Sequence, residues 1–185
     1  MTKKLSPSKI NLIIFASFFF VRYFFIIFSN YDNYELQPDS YWYSEQSDEV
    51  LKGNFNLLRP LFITSPFFTY YQAIIKFIFG EYWEVILEFS QVSISSISAI
   101  YFYKLGLILF NNKKVSGLAL IIFCFYPFTF WYVGAFTQDI WFQSFLIIFM
   151  FYFSMYLKNL NIRNLIISAV IFSLTFLTKS HILIF

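Results

Sequence analysis

Charged residues are scarce in this sequence of 185 residues: 12% are Asp, Glu, Lys or Arg, whereas 59% are hydrophobic. Soluble domains carry about 25% charged residues, because polar side chains must cover their water-facing surface. A soluble globular protein is therefore excluded. An intrinsically disordered chain is excluded as well, since disorder requires low hydrophobicity and high charge.

Cysteine, glycine and proline are also rare. Cys124 is the single cysteine, so no disulfide can form within the chain and a disulfide-stapled scaffold is excluded. Most of the five prolines lie in loops or at predicted membrane interfaces, and the sequence shows no internal repeat. Secondary transporters are typically built from repeats with broken helices near the bilayer midplane, so this class is disfavoured.

Long apolar runs are what the sequence has in abundance. A helix needs about 20 mostly apolar residues to cross ~30 Å of hydrocarbon. Five runs approach this length and are predicted to span the membrane: residues 10–29, 85–110, 115–136, 140–157 and 165–185. The first follows several lysines but lacks a small-residue cleavage site, so we interpret it as a retained helix. The sequence therefore predicts an all-α polytopic membrane protein.

The few charges are distributed unevenly between the predicted loops. Membrane proteins concentrate Lys and Arg in cytoplasmic loops. A cytoplasmic N-terminus places eight of the 13 basic residues inside and all ten acids outside. The net charge of +3 thus reflects how the chain is oriented in the membrane, and no nucleic-acid partner is predicted. We expect an integral protein of the plasma or inner membrane.

The longest polar stretch, residues 30–84, is predicted to be the first outer loop, and long loops of this kind usually carry function. A short helix is expected to begin at Asp39 and to be closed by Gly53. A second is expected to begin after Ser65 and to end at Gly80. Because the second reaches only ~20 Å, it is predicted to lie on or dip into the outer membrane surface.

The predicted topology brings three ionisable residues to the outer face. Asp39 lies in the first outer loop, Asp139 in the turn between the third and fourth spans, and Lys179 near the outward end of the fifth. Two carboxylates and a cation at a lipid surface suit group transfer from a lipid-linked phosphate. One carboxylate can accept the proton of an attacking hydroxyl, and the cation can stabilise charge on the leaving phosphate. His181 is a lone histidine without ligand spacing, so no metal or other cofactor is predicted.

These residues also have plain structural interpretations. Asp39 and Asp139 can cap the helices that they begin, or stabilise their first turns. Lys179 can simply place its ammonium group at the membrane interface. The sequence alone leaves these alternatives open.

Two further features lie inside predicted spans. Arg22 lies within the first span, and an intramembrane arginine is a functional candidate by default. The small polar residues Ser95 and Ser98, with Gln91, recur at helical spacing and are expected to pack the second span against a neighbouring helix.

Several short segments resemble the GT-C glycosyltransferases, and most closely their protein-mannosyltransferase and aminoarabinose-transferase branch. The first outer loop of this branch is matched by DSYWYS, LKGNF and SPFFTYY at residues 39–44, 51–55 and 65–71. The second acidic loop is matched by FYP and TQD at residues 125–127 and 137–139. LTK at residues 177–179 is similar to a Leu-Thr-Lys-Gly-Pro segment, although Ser180 and His181 replace Gly-Pro.

The resemblance implies a GT-C-like bundle that moves a hexosyl or pentosyl group from a polyprenyl-phosphate donor to a lipid, glycan or protein acceptor. It implies that Asp39 is the general base. Asp139 would be a second acid that orients the acceptor or the site, or helps to hold a metal in some branches. The substrate contacts that we predict are cationic or phenolic: Lys179, Arg22, Arg59 and Tyr43.

Residues 1–185 are expected to form a single transmembrane domain, the N-terminal portion of a larger GT-C module, because members of the resembled family have more spans. The alternative interpretation is a non-catalytic polytopic membrane protein, either an accessory subunit or a truncated, inactive copy. In that case, replacement of both acids affects stability or assembly alone. A transporter is the least favoured class.

Overall fold

The computed structural model describes residues 6–28, 38–56 and 65–179, and all regular secondary structure within these ranges is helical. The α-helices in chain order are α1 (Pro7–Phe28), α2 (Pro38–Leu51), α3 (Pro66–Phe79), α4 (Trp83–Phe110), α5 (Lys113–Cys124), α6 (Pro127–Gly134), α7 (Asp139–Asn159) and α8 (Ile162–Thr178). A 3-10 turn, Gly80–Tyr82, joins α3 to α4. The predicted all-α class is confirmed.

Three helical units of the described chain are long and apolar enough to cross a membrane: α1, the 45-residue unit formed by α3 and α4, and α7. The pair α5 and α6 counts as a fourth if it forms one bent span. Helix α8 is apolar but has 17 residues. The protein is thus a polytopic membrane protein with three or four candidate spans, against five predicted, and residues 180–185 of the fifth lie outside the described ranges.

The predicted third span, residues 115–136, is corrected to two helices. Pro127 has no N–H to donate and disfavours helical backbone at the preceding residue. Tyr126 accordingly has extended backbone angles, φ −68° and ψ 119°. Helix α5 therefore ends at Cys124, and α6 begins at Pro127 with a bend of 50° between them.

Both short helices expected within residues 30–84 form where the sequence predicts them. Ser65 caps α3, because its side-chain oxygen accepts a hydrogen bond of 3.3 Å from the Phe68 N–H. Gly80 at φ +53° ends α3, and Gly53 at φ +89° follows the end of α2, which are angles that glycine adopts without steric cost. Helix α2 begins one residue earlier than expected, so Asp39 lies within its first turn. The placement of α3 on the membrane surface stays a prediction.

Helix α4 lies at the centre of the bundle and contacts α1, α3, α5, α6 and α7. Gln91, Ser95 and Ser98 are buried on it, as the sequence predicts. Small side chains allow this close packing. Where α4 meets α5, a Cβ atom added to Gly106 would lie 3.1 Å from the Ser116 Oγ.

Candidate functional site

Asp139 and Lys179 form an ion pair at one end of the bundle. Asp139 begins α7 and Lys179 directly follows α8. Because these helices pack against each other and a short connection joins their other ends, the beginning of α7 meets the end of α8. The side chains are 24% and 30% exposed, respectively, so the pair is partly shielded from water and its Coulomb attraction is less screened than on an open surface. The Lys179 Nζ also lies 5.7 Å from the centre of the Phe142 ring.

Tyr43 links Asp39 to this end of the bundle. Asp39 is exposed in the first turn of α2, and one turn later Tyr43 is only 3% exposed. The Tyr43 ring packs edge-to-face on Phe68 of α3, with ring centroids 5.2 Å apart. Burial raises the pKa of the Tyr43 phenol, and the charges of Asp39 and Asp139 raise this pKa further, since both effects disfavour a phenolate. Both carboxylates therefore act on the same phenol.

An open pocket of about 300 Å³ borders the Asp139–Lys179 pair. Helix α6, turned by the break before Pro127, forms one wall, and α7 forms another. The remaining lining residues are aromatic or polar: Tyr126, Phe128, Thr129, Tyr132, Phe142 and Gln143. A largely apolar pocket with a few convergent polar groups is the usual form of a small-ligand site.

An aromatic groove adjoins the pocket and shares Phe128 and Tyr132 with it. Pro127 and Trp131 complete the lining of this groove. The sequence identified Pro127 as part of a motif, but the unbroken apolar run concealed the bend that brings Phe128, Trp131 and Tyr132 into one groove with it. Gln143 was missed as well, although its position one helical turn after Asp139 is the signal that could have found it.

Arg22 is not among the residues that line this pocket. Its side chain is fully buried, and its guanidinium carbon lies 4.7 Å from the centre of the Phe18 ring and 5.6 Å from that of Phe123. None of its nitrogens has a hydrogen-bond partner in the part of the chain that the structure describes. Arg59 lies outside the described residues.

Within residues 6–28, 38–56 and 65–179, no group of three or more His, Cys, Asp or Glu side chains is arranged to hold a metal ion. A metal-free reaction stays a prediction. Asp139 and Lys179 are the charged side chains that line the pocket.

By its fold, this chain is an all-α, polytopic integral membrane protein. The family model described as dolichyl-phosphate-mannose-protein mannosyltransferase matches residues 63–185, about two thirds of the chain. The chain therefore belongs to this family and is a membrane glycosyltransferase of the GT-C type. The family match confirms the resemblance to GT-C glycosyltransferases that the short motifs show. The matched range contains Asp139 and Lys179 and begins after Asp39. No curated protein and no solved structure matches the chain.

Proposed function

We propose that this chain carries the site at which a sugar is transferred from a polyprenyl-phosphate donor to an acceptor hydroxyl on the outer face of the membrane. The supporting observation is the ion pair of Asp139 and Lys179 in the lining of an open pocket, with Tyr43 close enough for Asp39 and Asp139 to raise its pKa. Asp39 and Tyr43 do not line the pocket themselves. Membership of a mannosyltransferase family supports a lipid-linked sugar as donor. The sugar that we propose is a hexose or pentose, and the acceptor a lipid, glycan or protein.

In the proposed reaction Asp39 is the general base. Its exposed carboxylate takes the proton of the acceptor hydroxyl while the hydroxyl oxygen attacks the anomeric carbon of the sugar. The bond between the anomeric carbon and the phosphate oxygen breaks, and polyprenyl phosphate leaves with the electron pair. A single displacement of this kind inverts the configuration of the anomeric carbon.

Lys179 is the proposed partner of the leaving phosphate. An ammonium fixed at the place where negative charge grows stabilises the transition state more than a mobile cation does. The Asp139 carboxylate holds this ammonium in place through the ion pair and thereby orients the site. Arg22, whose guanidinium lacks a polar partner among the described residues, and Arg59 are proposed as further contacts to the donor.

Tyr43 and the aromatic groove are proposed to bind the sugar and the first part of the lipid. A raised pKa keeps the Tyr43 phenol neutral at physiological pH, so it can donate a hydrogen bond to a carboxylate or a sugar oxygen. Aromatic faces such as those of Phe128 and Trp131 offer apolar contact area to a sugar ring or an isoprenoid chain.

The proposed outer location of the site follows from the charges at the two ends of the bundle. The site end carries acids on α2 and at the beginnings of α4 and α7. At the opposite end, the helix ends next to the α4–α5 and α7–α8 connections carry Lys113, Lys114, Lys158 and Arg163. Basic residues concentrate on the cytoplasmic side, so we place the site on the other side.

Replacement of Asp39 by Asn tests the general base. The amide cannot accept a proton, so transfer from radiolabelled polyprenyl-phosphate-mannose to endogenous acceptors in membranes should fall about 100-fold or more. Glu45→Gln is the matched control, because Glu45 is exposed on the same helix, and it should keep full transfer. An Asp39→Asn protein that inserts normally and transfers at the unmodified rate would contradict the role of Asp39.

A further inference from the structure

The side chain of Gln91 on α4 bonds to backbone that belongs to another part of the bundle. Gln91 is fully buried, and its Nε2 donates hydrogen bonds of 2.9 Å to the Val133 carbonyl and 2.8 Å to the Ala135 carbonyl. Carbonyl oxygens can only accept, so both contacts require the NH₂ end of the amide. The orientation of this side chain is therefore fixed by its surroundings.

The two carbonyls lie where α6 ends. The last carbonyls of a helix have no partner within the helix, and Ala135 leaves α6 in extended conformation, at φ −80° and ψ 139°. All residues from Val133 to Thr137 are buried, which keeps water from these carbonyls. An unpartnered buried carbonyl is costly, and from across the bundle Gln91 supplies a partner for the Val133 carbonyl and a second donor for the Ala135 carbonyl.

The same backbone leads directly into the candidate site. The Thr137 N–H donates to the Ala135 carbonyl at 2.8 Å, and the Phe142 N–H donates to the Gln138 carbonyl at 2.9 Å in the first turn of α7. Asp139 lies inside the turn that the second bond closes, two residues after Thr137. The position of its carboxylate relative to Lys179 therefore depends on where the chain leaves α6, which is where Gln91 holds it.

We infer that Gln91 is a positioning residue for Asp139: its amide fixes the end of α6 and so sets the turn that presents the carboxylate to Lys179. The effect on transfer rests on the proposed function, whereas the effect on the turn does not. Two measurements separate these parts.

The first measurement is hydrogen exchange of the purified full chain over residues 133–142. Gln91→Met removes both donors at similar size, and Gln91→Glu keeps the shape but replaces the NH₂ by oxygen. Both variants should speed exchange in this segment about tenfold or more, because the turn loses its anchor. Ser96→Ala is the matched control, since Ser96 is buried on the same helix and its hydroxyl bonds only within α4, to the Val92 carbonyl at 2.7 Å. Unchanged exchange in the Gln91 variants would overturn the inference.

The second measurement is steady-state transfer from polyprenyl-phosphate-mannose. A displaced Asp139 should lower kcat about tenfold or more, while the KM for the donor changes less than about twofold because Gln91 does not line the pocket and the lining residues are unchanged. A rise in KM at constant kcat would contradict a positioning role, and so would unfolding of both Gln91 variants while Ser96→Ala stays folded. If the unmodified protein consumes no donor, the proposed function fails, and hydrogen exchange still decides whether Gln91 holds the turn.

Discussion

At the scale of single residues, Tyr43 is the side chain whose pKa both Asp39 and Asp139 raise. Its pKa lies above the ordinary value of 10.0 because burial and the charges of Asp39 and Asp139 all disfavour the phenolate. A phenol whose pKa is higher in the folded than in the unfolded state stabilises the fold fully below pH 10.0. This stabilisation is lost as the pH rises from there through the folded-state pKa.

Tyr43→Phe should therefore reduce the alkaline destabilisation of the protein. Between about pH 8 and about pH 11, the thermal midpoint of the variant in detergent should fall less than that of the unmodified protein. Tyr41→Phe is the control, because Tyr41 is 63% exposed on the same helix, and its midpoint should fall as steeply as that of the unmodified protein. Equal slopes for all three proteins would show that the pKa of Tyr43 is not raised in the folded state.

Arg22 allows a second prediction at this scale. A buried charge without a partner costs several kcal/mol, and an apolar residue of similar size is often neutral or stabilising. Arg22→Met should thus keep or raise the thermal midpoint while it lowers sugar transfer, which is the signature of a residue that serves a ligand. Lys9→Met, an exposed position on the same helix, should change neither. A lower midpoint in Arg22→Met would assign Arg22 to the structure of the bundle.

At the scale of helices, Lys76 holds α2 against α3 and α4. Its Nζ donates to the Ser44 carbonyl at 2.9 Å, to the Ser44 Oγ at 2.8 Å and to Asp48 at 2.6 Å. The same ammonium lies 4.7 Å from the centre of the Trp83 ring. Because α2 also carries Asp39, these contacts bear on where the proposed base lies.

Lys76→Met should loosen α2 without unfolding the bundle. The loss of charged hydrogen bonds is worth roughly 2 kcal/mol, so residues 38–51 should exchange amide hydrogens faster and transfer should fall. Lys52→Met is the matched control, since Lys52 is 69% exposed and pairs with Glu49 on its own helix at 2.7 Å. If the amide hydrogens of α2 exchange at the same rate in both variants, Lys76 does not hold this helix.

Sequence reasoning succeeded for helices whose ends have their own local chemistry. Ser65, Pro66 and Gly80 determine the ends of α3 whatever surrounds it, so the pattern was sufficient. The pattern was insufficient for the third apolar run. Its uniform hydrophobicity predicts one helix, whereas Pro127 changes the direction of the backbone and divides the run into two. The contact between Gln91 and the end of α6 joins distant parts of the chain, and a single sequence does not reveal which buried amide meets which carbonyl.

At the scale of the whole molecule, the proposed sidedness predicts a labelling pattern. In a Cys124→Ala background, a membrane-impermeant maleimide should label Glu45→Cys in intact cells and Lys113→Cys only after permeabilisation. Both positions are exposed, so access depends on the side of the membrane. Labelling of both from the same side would contradict the charge-based topology.

The central claim is that this bundle transfers a sugar from a lipid-linked phosphate in one displacement. The most direct test incubates the purified full chain with polyprenyl-phosphate sugars of defined anomeric configuration, mannose first, and follows the products by NMR. We expect release of polyprenyl phosphate together with a product whose anomeric configuration is inverted. Consumption of no donor, or a product with retained configuration, would contradict it.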